Sequence, residues 1–292
     1  MKKIFCVSVL IFVLLFCNGC LKRDDLEDAT IYTTIYPIEF LTDTLYGYNS
    51  TIKNIYPDGV NVEEYSLTSK QINDYSKGEI FVYNGLSTEK EIARSFININ
   101  KNLKIIDVSY GLKYTYGVEE LWLSPNNYLM LATTIKNNLQ SFMTSKYIKE
   151  EIENNYINDL EDKLSTMDAE LRSLGSIASD AKRNTLVVSS NLFNFLANYG
   201  FNIINLSDED SLSKNAINTL KNNFKTETYK YIFVKPDEEI SELIEELVAE
   251  GAQIIKFNLL TNLSDEERKS GENYFTIMNA NIDYIKSATI EK

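Results

Sequence analysis

A long amphipathic helix in the middle of the chain constrains the fold more than any other sequence feature. No proline occurs between Pro125 and Pro236, and apolar residues recur in this interval at three- and four-residue spacing. The repeated positions are Ile148, Ile152, Tyr156, Leu160, Leu164, Met167, Leu171 and Leu174. The pattern predicts a helix over 145–174, about 45 Å long at 1.5 Å per residue, with Gly175 as its expected C-cap. Such a helix can join two lobes, or it can pair with a partner helix in a coiled coil.

Strand and helix patterns alternate on both sides of this helix. Before it, the sequence predicts strands at 31–35, 52–56, 80–83 and 103–108 and helices at 68–77 and 87–98. After it, the sequence predicts strands at 185–189, 202–205, 231–234 and 253–257 and helices beginning at 192, 211, 237 and 264. Alternation of this kind predicts an α/β fold with two lobes of mainly parallel sheet. We expect a ligand in the cleft between them, at the carboxyl ends of the strands.

The predicted domain organisation follows from this pattern. Residues 30–125 form an N-terminal α/β lobe, residues 126–180 form the linking helices, and residues 181–292 form a C-terminal α/β lobe. The composition agrees with a globular protein, because 44% of the residues are hydrophobic.

The N-terminus has the pattern of a lipoprotein signal. Two lysines precede an apolar run over 4–16, which is too short to cross a hydrocarbon core of ~30 Å. Gly19 before Cys20 is the small residue that lipoprotein signal peptidase accepts, although Cys17 stands where leucine is usual. We expect cleavage before Cys20 and lipid attachment to it, with simple cleavage or an uncleaved anchor as alternatives.

Cleavage before Cys20 would make 1–19 a signal peptide and 20–29 a polar, lipidated tether. It would also remove Cys6 and Cys17, so an exported chain without disulfides must be stabilised by its core. The remaining 27 basic and 42 acidic residues give a net charge of −15, which repels nucleic acid and anionic lipid. We therefore expect attachment through acyl chains at the outer face of the cytoplasmic membrane, and no nucleic-acid partner.

Several short motifs occur in an order that resembles the substrate-binding proteins of zinc and manganese ABC transporters. They are Thr33-Thr34-Ile35-Tyr36-Pro37, Tyr56-Pro57-Asp58-Gly59-Val60, the strand exit over 76–86, Trp122-Leu123-Ser124-Pro125, Val187-Val188-Ser189, and the segment from Asn258 to Tyr274. The resemblance covers essentially the whole mature chain. It implies a monomeric solute-binding lipoprotein that captures a metal ion between its lobes and delivers it to an ABC permease and ATPase.

The chain contains no histidine, whereas the resemblance implies a metal site of about three imidazoles and a carboxylate. The implied ligand positions hold oxygen-bearing side chains: Glu63, Glu120, Ser190 and Thr261, with Glu64 and Glu119 as possible further ligands. Zinc prefers nitrogen and sulfur donors, whereas hard cations prefer oxygen. We therefore expect Mn²⁺, Ca²⁺ or Mg²⁺ as cargo rather than Zn²⁺.

Two alternatives remain open at this stage. A paralogue that has lost its metal site would act as a surface interaction protein, such as an adhesin. A receptor with a changed site would take a non-metal or chelated cargo, since Lys235 suits an anionic ligand and Tyr36, Tyr65 and Trp122 suit an organic one. Lobe packing and solvent exposure explain the same side chains.

An enzyme is not expected. The nucleophile-elbow, P-loop, dinucleotide-binding and HExxH signatures are absent from the sequence, and histidine, the commonest general base, is missing.

Overall fold

The computed structural model describes residues 26–208 and 212–290, so the predicted signal peptide, Cys20 and most of the tether lie outside the described residues. Within these described residues, eight short strands form two parallel sheets, one in each half of the chain. The strands are β1 (Ala29–Thr33), β2 (Ser50–Asn54), β3 (Ile80–Tyr83), β4 (Lys104–Asp107), β5 (Thr185–Val188), β6 (Asn202–Asn205), β7 (Tyr231–Val234) and β8 (Gln253–Lys256).

The helices cover both faces of these sheets and connect the two halves. They are α1 (Tyr36–Tyr46), α2 (Ser69–Tyr75), α3 (Glu89–Ile99), α4 (Glu120–Leu123), α5 (Pro125–Phe142), α6 (Lys146–Asn155), α7 (Asp162–Asp180), α8 (Lys214–Lys225), α9 (Glu242–Ala249), α10 (Asp265–Ser270) and α11 (Tyr274–Thr289). Two 3₁₀ segments occur at Gly47–Asn49 and Asn191–Tyr199. None of the helices in the described ranges is both long and apolar enough to cross a membrane.

The two sheets have equivalent strand orders. The first is ordered β2-β1-β3-β4 and the second β6-β5-β7-β8, with every pairing parallel. All four residues of β3 are buried, as expected for a strand covered by helices on both faces. The predicted α/β fold of two parallel-sheet lobes joined by a long helix is confirmed.

Helix starts follow local sequence signals. Pro125 occupies the first turn of α5, where its fixed φ and missing N–H cost little. Thr68, Ser264 and Asn273 form capping boxes at the starts of α2, α10 and α11. Helix α1 was not predicted from the sequence, although Pro37 in its first turn is the same kind of signal as Pro125.

The long helix extends further than its sequence pattern predicted. Helix α6, a π-helical turn at Tyr156–Glu161 and α7 follow one another without a break, which gives about 52 Å at 1.5 Å per residue. All eight residues of the predicted apolar stripe are buried in the main hydrophobic core. The stripe therefore packs against the protein's own lobes, and the coiled-coil alternative is wrong.

Gly175 lies inside α7 and is not the predicted C-cap, because the helix continues to Asp180. Its role is close packing: a β-carbon at this position would overlap the carbonyl oxygen of Tyr199. The chain leaves that contact through Gly200, which has a φ of +93°. A glycine in the helix interior thus allows the 3₁₀ segment at Asn191–Tyr199 to approach the helix backbone.

The two lobes share one continuous core. The main cluster includes buried residues of both sheets and of the long helix, while a second, smaller cluster lies under α8 and α9. At the junction, the rings of Tyr128 and Tyr274 stack with centroids 4.0 Å apart, and the Tyr274 hydroxyl donates to the Trp122 carbonyl at 2.7 Å. The lobes are therefore packed together as well as linked by the helix.

A buried carboxyl lies near the end of the first sheet. Glu89 is 4% exposed, and one of its carboxylate oxygens accepts a hydrogen bond from the Asn84 N–H at 2.8 Å. Burial raises the pKa of the Glu89 carboxyl from 4.5 to about 7, and the nearby Asp107 adds to the rise. The folded protein thus keeps a proton between these pH values that the unfolded chain releases.

We expect Gly175→Ala to destabilise the protein. Alanine would gain about 0.5–1 kcal/mol of helix propensity, but overpacking against the Tyr199 carbonyl costs typically 1–3 kcal/mol. The measurement is urea unfolding, with Ser176→Ala at the exposed neighbouring position as the control. An alanine variant as stable as the control would contradict the close approach.

We expect Glu89→Gln to change how stability depends on pH. In the natural protein, Glu89 contributes stability below pH 4.5 that is lost as the pH rises toward 7, because its folded-state pKa is raised. The variant should therefore gain roughly 3 kcal/mol relative to the natural protein across this window, at 1.36 kcal/mol per pKa unit. Denaturant unfolding at several pH values measures the difference. Glu91 is exposed on the same helix, and Glu91→Gln should not show this pH-dependent gain in the free energy of unfolding.

Candidate functional site

A cleft of about 590 Å³ lies between the two lobes. The N-terminal half contributes residues 59–63 and Glu119, and the C-terminal half contributes residues 235–238, Lys256, residues 258–264 and Glu267. The C-terminal wall comprises the end of β8 and the loops that follow β7 and β8. This is the position that the strand pattern predicted, because ligands of parallel sheets bind beyond the carboxyl ends of the strands.

Direct hydrogen bonds tie the two walls of the cleft together. The Gly59 N–H donates to the Leu263 carbonyl at 2.8 Å, and the φ of +74° at Gly59 suits glycine. The Asn262 side-chain amide donates to the carbonyls of Pro57 and Val60, at 2.7 and 3.1 Å. The loop that carries Glu63 is therefore fixed to the loop that carries Thr261.

Glu63 lines the cleft, and its position follows from an Asx turn. The Asn61 side-chain oxygen accepts the Glu63 N–H at 3.0 Å, and the Asn61 carbonyl accepts the Tyr65 N–H at 3.0 Å. The Glu63 side chain is exposed. Its neighbour Glu64, a possible further ligand, is also exposed but does not line the cleft.

Glu119 and Glu120 have different environments although they are adjacent. Glu119 is half-buried and lines the cleft. Glu120, the position implied by the resemblance, is 8% exposed and does not line the cleft. Its carboxylate accepts the backbone N–H groups of Thr115 and Tyr116 at 3.1 and 3.3 Å, so it holds its own loop. Glu119 is therefore the glutamate of this pair that can face a ligand.

Ser190 and Thr261 also differ. The Ser190 hydroxyl accepts the Leu192 N–H at 3.3 Å as the N-cap of the 3₁₀ segment, and Ser190 does not line the cleft. Thr261 lines it, and its carbonyl accepts the Tyr36 N–H at 3.1 Å across the lobe junction. The structure thus brings Glu63, Glu119 and Thr261 to one cavity and leaves Glu64, Glu120 and Ser190 outside its lining.

The aromatic residues considered for an organic ligand pack at the lobe junction. Tyr36 and Trp122 are buried, and the Trp122 indole N–H donates to the Leu259 carbonyl at 2.8 Å. The Tyr65 ring packs edge-on against Tyr56 and its hydroxyl accepts from Gln71 at 2.8 Å. None of the three predicted residues lines the cleft.

Two lysines line the C-terminal wall. Lys235 follows β7, and its N–H donates to the carboxylate of Glu238 at 3.0 Å. Lys256 is the last residue of β8 and was not predicted from the sequence as a site residue. Its position at the carboxyl end of a strand was the signal that could have found it. Neither ammonium group has a hydrogen-bond or ion-pair partner among residues 26–208 and 212–290.

The cleft does not contain a complete metal site made of protein side chains. Among the described residues there is no group of three or more His, Cys, Asp or Glu that could hold a metal ion. Of the ligands predicted from the sequence, Glu63, Glu119 and Thr261 line the cleft, and they can offer two carboxylates and one hydroxyl. A cation bound here would need further oxygen or nitrogen donors from backbone, water or its own ligand.

Comparison with known proteins gives a consistent family. A family model described as "Zinc-uptake complex component A periplasmic" matches residues 31–288. The chain is 25% identical to the zinc-binding lipoprotein AdcA of Streptococcus pneumoniae over 99% of its own length and 61% of that protein's length. It is also 24% identical to the high-affinity zinc uptake system protein ZnuA of Bacillus subtilis, covering 90% of this chain and 88% of that one.

Two solved structures show the same fold. The Zn(II)-bound ZnuA-like domain of Streptococcus pneumoniae AdcA superposes with a TM-score of 0.71 at 24% identity, covering 91% of this chain and 100% of that one. The metal-dependent lipoprotein YcdH from Bacillus subtilis gives a TM-score of 0.72 at 23% identity, covering 90% and 99%. The chain spans about three fifths of the length of the full AdcA protein that it matches.

These comparisons test several of the expectations that were based on the sequence. The family is one of solute-binding proteins, which confirms that the chain is not an enzyme. The adhesin alternative has no support among the relatives. Their names point to zinc and give no support to the expected preference for Mn²⁺, Ca²⁺ or Mg²⁺. With the family model matching nearly the whole described chain, the protein belongs to the zinc-uptake component A family of metal ABC-transporter substrate-binding proteins.

Proposed function

We propose that this protein is the solute-binding component of a metal-type ABC uptake system. It captures a divalent cation in the interlobe cleft and delivers it to a permease and an ATPase. The observation that carries the proposal is the convergence of Glu63, Glu119 and Thr261, from both halves of the chain, on one cleft of a family-type fold. Zinc is the first cation to test, because it appears in the names of the relatives.

The cation would meet oxygen donors in this cleft. Glu63 and Glu119 supply negative charge from the N-terminal half, and Thr261 supplies a hydroxyl from the opposite half. Carboxylates hold zinc at about 2.0–2.2 Å and calcium at 2.3–2.6 Å, with calcium requiring 6–8 donors. An oxygen-only set discriminates weakly between divalent metals, so selectivity in this protein would depend on how the remaining coordination positions are filled.

Capture would proceed through movements of side chains and loops rather than through a wide hinge. The long helix and the shared core oppose separation of the lobes, and the hydrogen bonds from Asn262 and Gly59 hold the cleft loops together. The exposed Glu63 side chain is free to turn toward a cation that enters from solvent.

We further propose that Cys20 carries the lipid that holds a monomeric receptor at the outer face of the cytoplasmic membrane. The support is the sequence pattern of residues 1–20 and the description of the AdcA relative as a lipoprotein. Metabolic labelling with a fatty acid, compared between the natural chain and Cys20→Ala, tests this; equal labelling of both would contradict it.

We expect the double substitution Glu63→Gln and Glu119→Gln to abolish stabilisation by metal. Binding to the folded state at a hundredfold excess over Kd stabilises it by about 2.7 kcal/mol, which raises Tm by roughly 5–10 °C in a chain of this size. The measurement is thermal melting of residues 20–292 after chelation, with Zn²⁺, Mn²⁺, Ca²⁺ and Mg²⁺ added separately.

The matched control for this pair is Glu64→Gln, which removes a carboxylate from the same loop but not from the cleft lining. It should keep the full metal-induced rise in Tm. A full rise in the double variant would contradict the proposed site, and no rise with any cation in the natural protein would contradict capture of a free cation.

A further inference from the structure

The cleft is much larger than a hydrated metal ion. Six water ligands at about 30 Å³ each occupy about 180 Å³, whereas the cleft, which is open to solvent, has a volume of about 590 Å³. Cavities of 300–1,000 Å³ are typical of sites for small organic molecules. The volume therefore suits a cargo with more atoms than a single cation and its water shell.

The protein also supplies too few donors for a tightly held metal ion. Five carboxylates line the cleft, but among the described residues no three of them are grouped so that they could hold a metal ion. Glu63, Glu119 and Thr261 would leave at least one position of tetrahedral zinc open, and more for a six-coordinate metal. The chain has no histidine, so the usual nitrogen donor is unavailable at every position. A small chelator bound to the metal would provide the missing nitrogen or oxygen atoms.

The lysines of the cleft lie on one wall only, and a free cation does not explain them. Glu63 and Glu119 lie on the N-terminal wall, while Lys235 and Lys256 lie on the C-terminal wall beside Asp237, Glu238 and Glu267. Two ammonium groups repel a metal ion that enters the same cavity, and they attract carboxylates.

The C-terminal wall also contains acidic residues, but hydrogen bonds already engage two of them. Glu238 accepts from the Ser189 hydroxyl at 2.5 Å and from the Lys235 N–H at 3.0 Å. Glu267 accepts from the Asn258 side chain at 2.7 Å and from the Ser264 N–H at 2.7 Å. Asp237 is the third, and its side chain is exposed. These hydrogen bonds leave the carboxylates charged, so three acidic residues and two lysines give this wall a net charge of −1. Lys235 and Lys256 are the groups through which it can contact an anionic ligand.

We propose that the cargo is a divalent metal already bound to a small chelator that carries carboxylates. The metal faces Glu63 and Glu119, and carboxylates of the chelator pair with Lys235 and Lys256. This inference rests on the proposed function as a metal receptor and adds the chemical class of the cargo. The position of both lysines on one wall would then orient one complex across the lobe junction.

Equilibrium dialysis tests the proposal, because it counts bound metal and bound chelator separately. The natural chain over residues 20–292 is dialysed against zinc alone, against nitrilotriacetate or citrate alone, and against each 1:1 zinc complex. We expect zinc and chelator to be retained in equal amounts from at least one complex, with a Kd at least tenfold lower than for either component alone. Zinc retained without chelator, or bound as tightly alone as in its complexes, would overturn the proposal and leave the metal-receptor function standing.

Substitution of the two cleft lysines distinguishes capture of a metal–chelator complex from capture of a free metal ion. Lys235→Gln with Lys256→Gln should weaken binding of the zinc complex at least tenfold and leave binding of free zinc unchanged or stronger. The matched control is Lys225→Gln with Lys230→Gln, two exposed lysines outside the cleft, and it should bind as the natural protein does. Unchanged binding of the complex in the cleft variant would overturn the role of the lysines. Failure of the natural protein to retain zinc in any form would instead contradict the metal-receptor function itself.

Discussion

The loop at residues 258–264 holds the two lobes in the arrangement on which the rest of the structure depends. It crosses from the second sheet to the first lobe, where its carbonyls and its asparagine side chain make the hydrogen bonds that close the lobe junction. Within the loop, Leu260 has a φ of +60°, which costs roughly 1–2 kcal/mol for a residue other than glycine. Burial of the Leu260 side chain and a hydrogen bond from its N–H to the Asn258 side chain offset this cost. The strained residue thus lies in the wall of the cleft, where such strain is often found.

An ion-pair cluster reinforces the same junction from the outside. The Arg268 guanidinium donates to both carboxylate oxygens of Glu39 at 3.0 Å and also pairs with Asp58, so one side chain on α10 binds two elements of the other lobe. A two-oxygen contact of this kind fixes geometry better than a single ion pair, because the planar guanidinium matches the carboxylate. Together with the buried stripe of the long helix, these contacts make a cleft whose walls keep their separation. Specificity in such a cleft must come mainly from the side chains that project into it.

Those side chains explain why the family assignment alone does not give the cargo. The fold, the order of the motifs and the position of the cleft agree with the zinc-uptake family, whereas the chain has no imidazole donor and two lysines lie in the cleft. A metal that arrives with its own chelator reconciles these observations, since it needs fewer donors from the protein and brings carboxylates that can pair with the two lysines. The same architecture would then serve as a receptor while its residue inventory departs from that implied for the family.

The sequence by itself determined the elements and their sequence order. The strands at 80–83, 202–205 and 231–234 were predicted at their observed bounds, because short apolar runs between polar segments are a local signal. The absence of histidine was also a property of the sequence alone.

Tertiary structure decided the contacts that depend on distant chain segments. The sequence predicted Gly175 as a helix C-cap, whereas the structure places it inside α7, where its backbone contacts the Tyr199 carbonyl. Of the two glutamates at 119 and 120, only their hydrogen-bond partners show which one faces the cleft, since the amides of Thr115 and Tyr116 engage Glu120. Periodicity reports the face of one element, whereas a site is formed by side chains that come together from several elements only when the chain has folded.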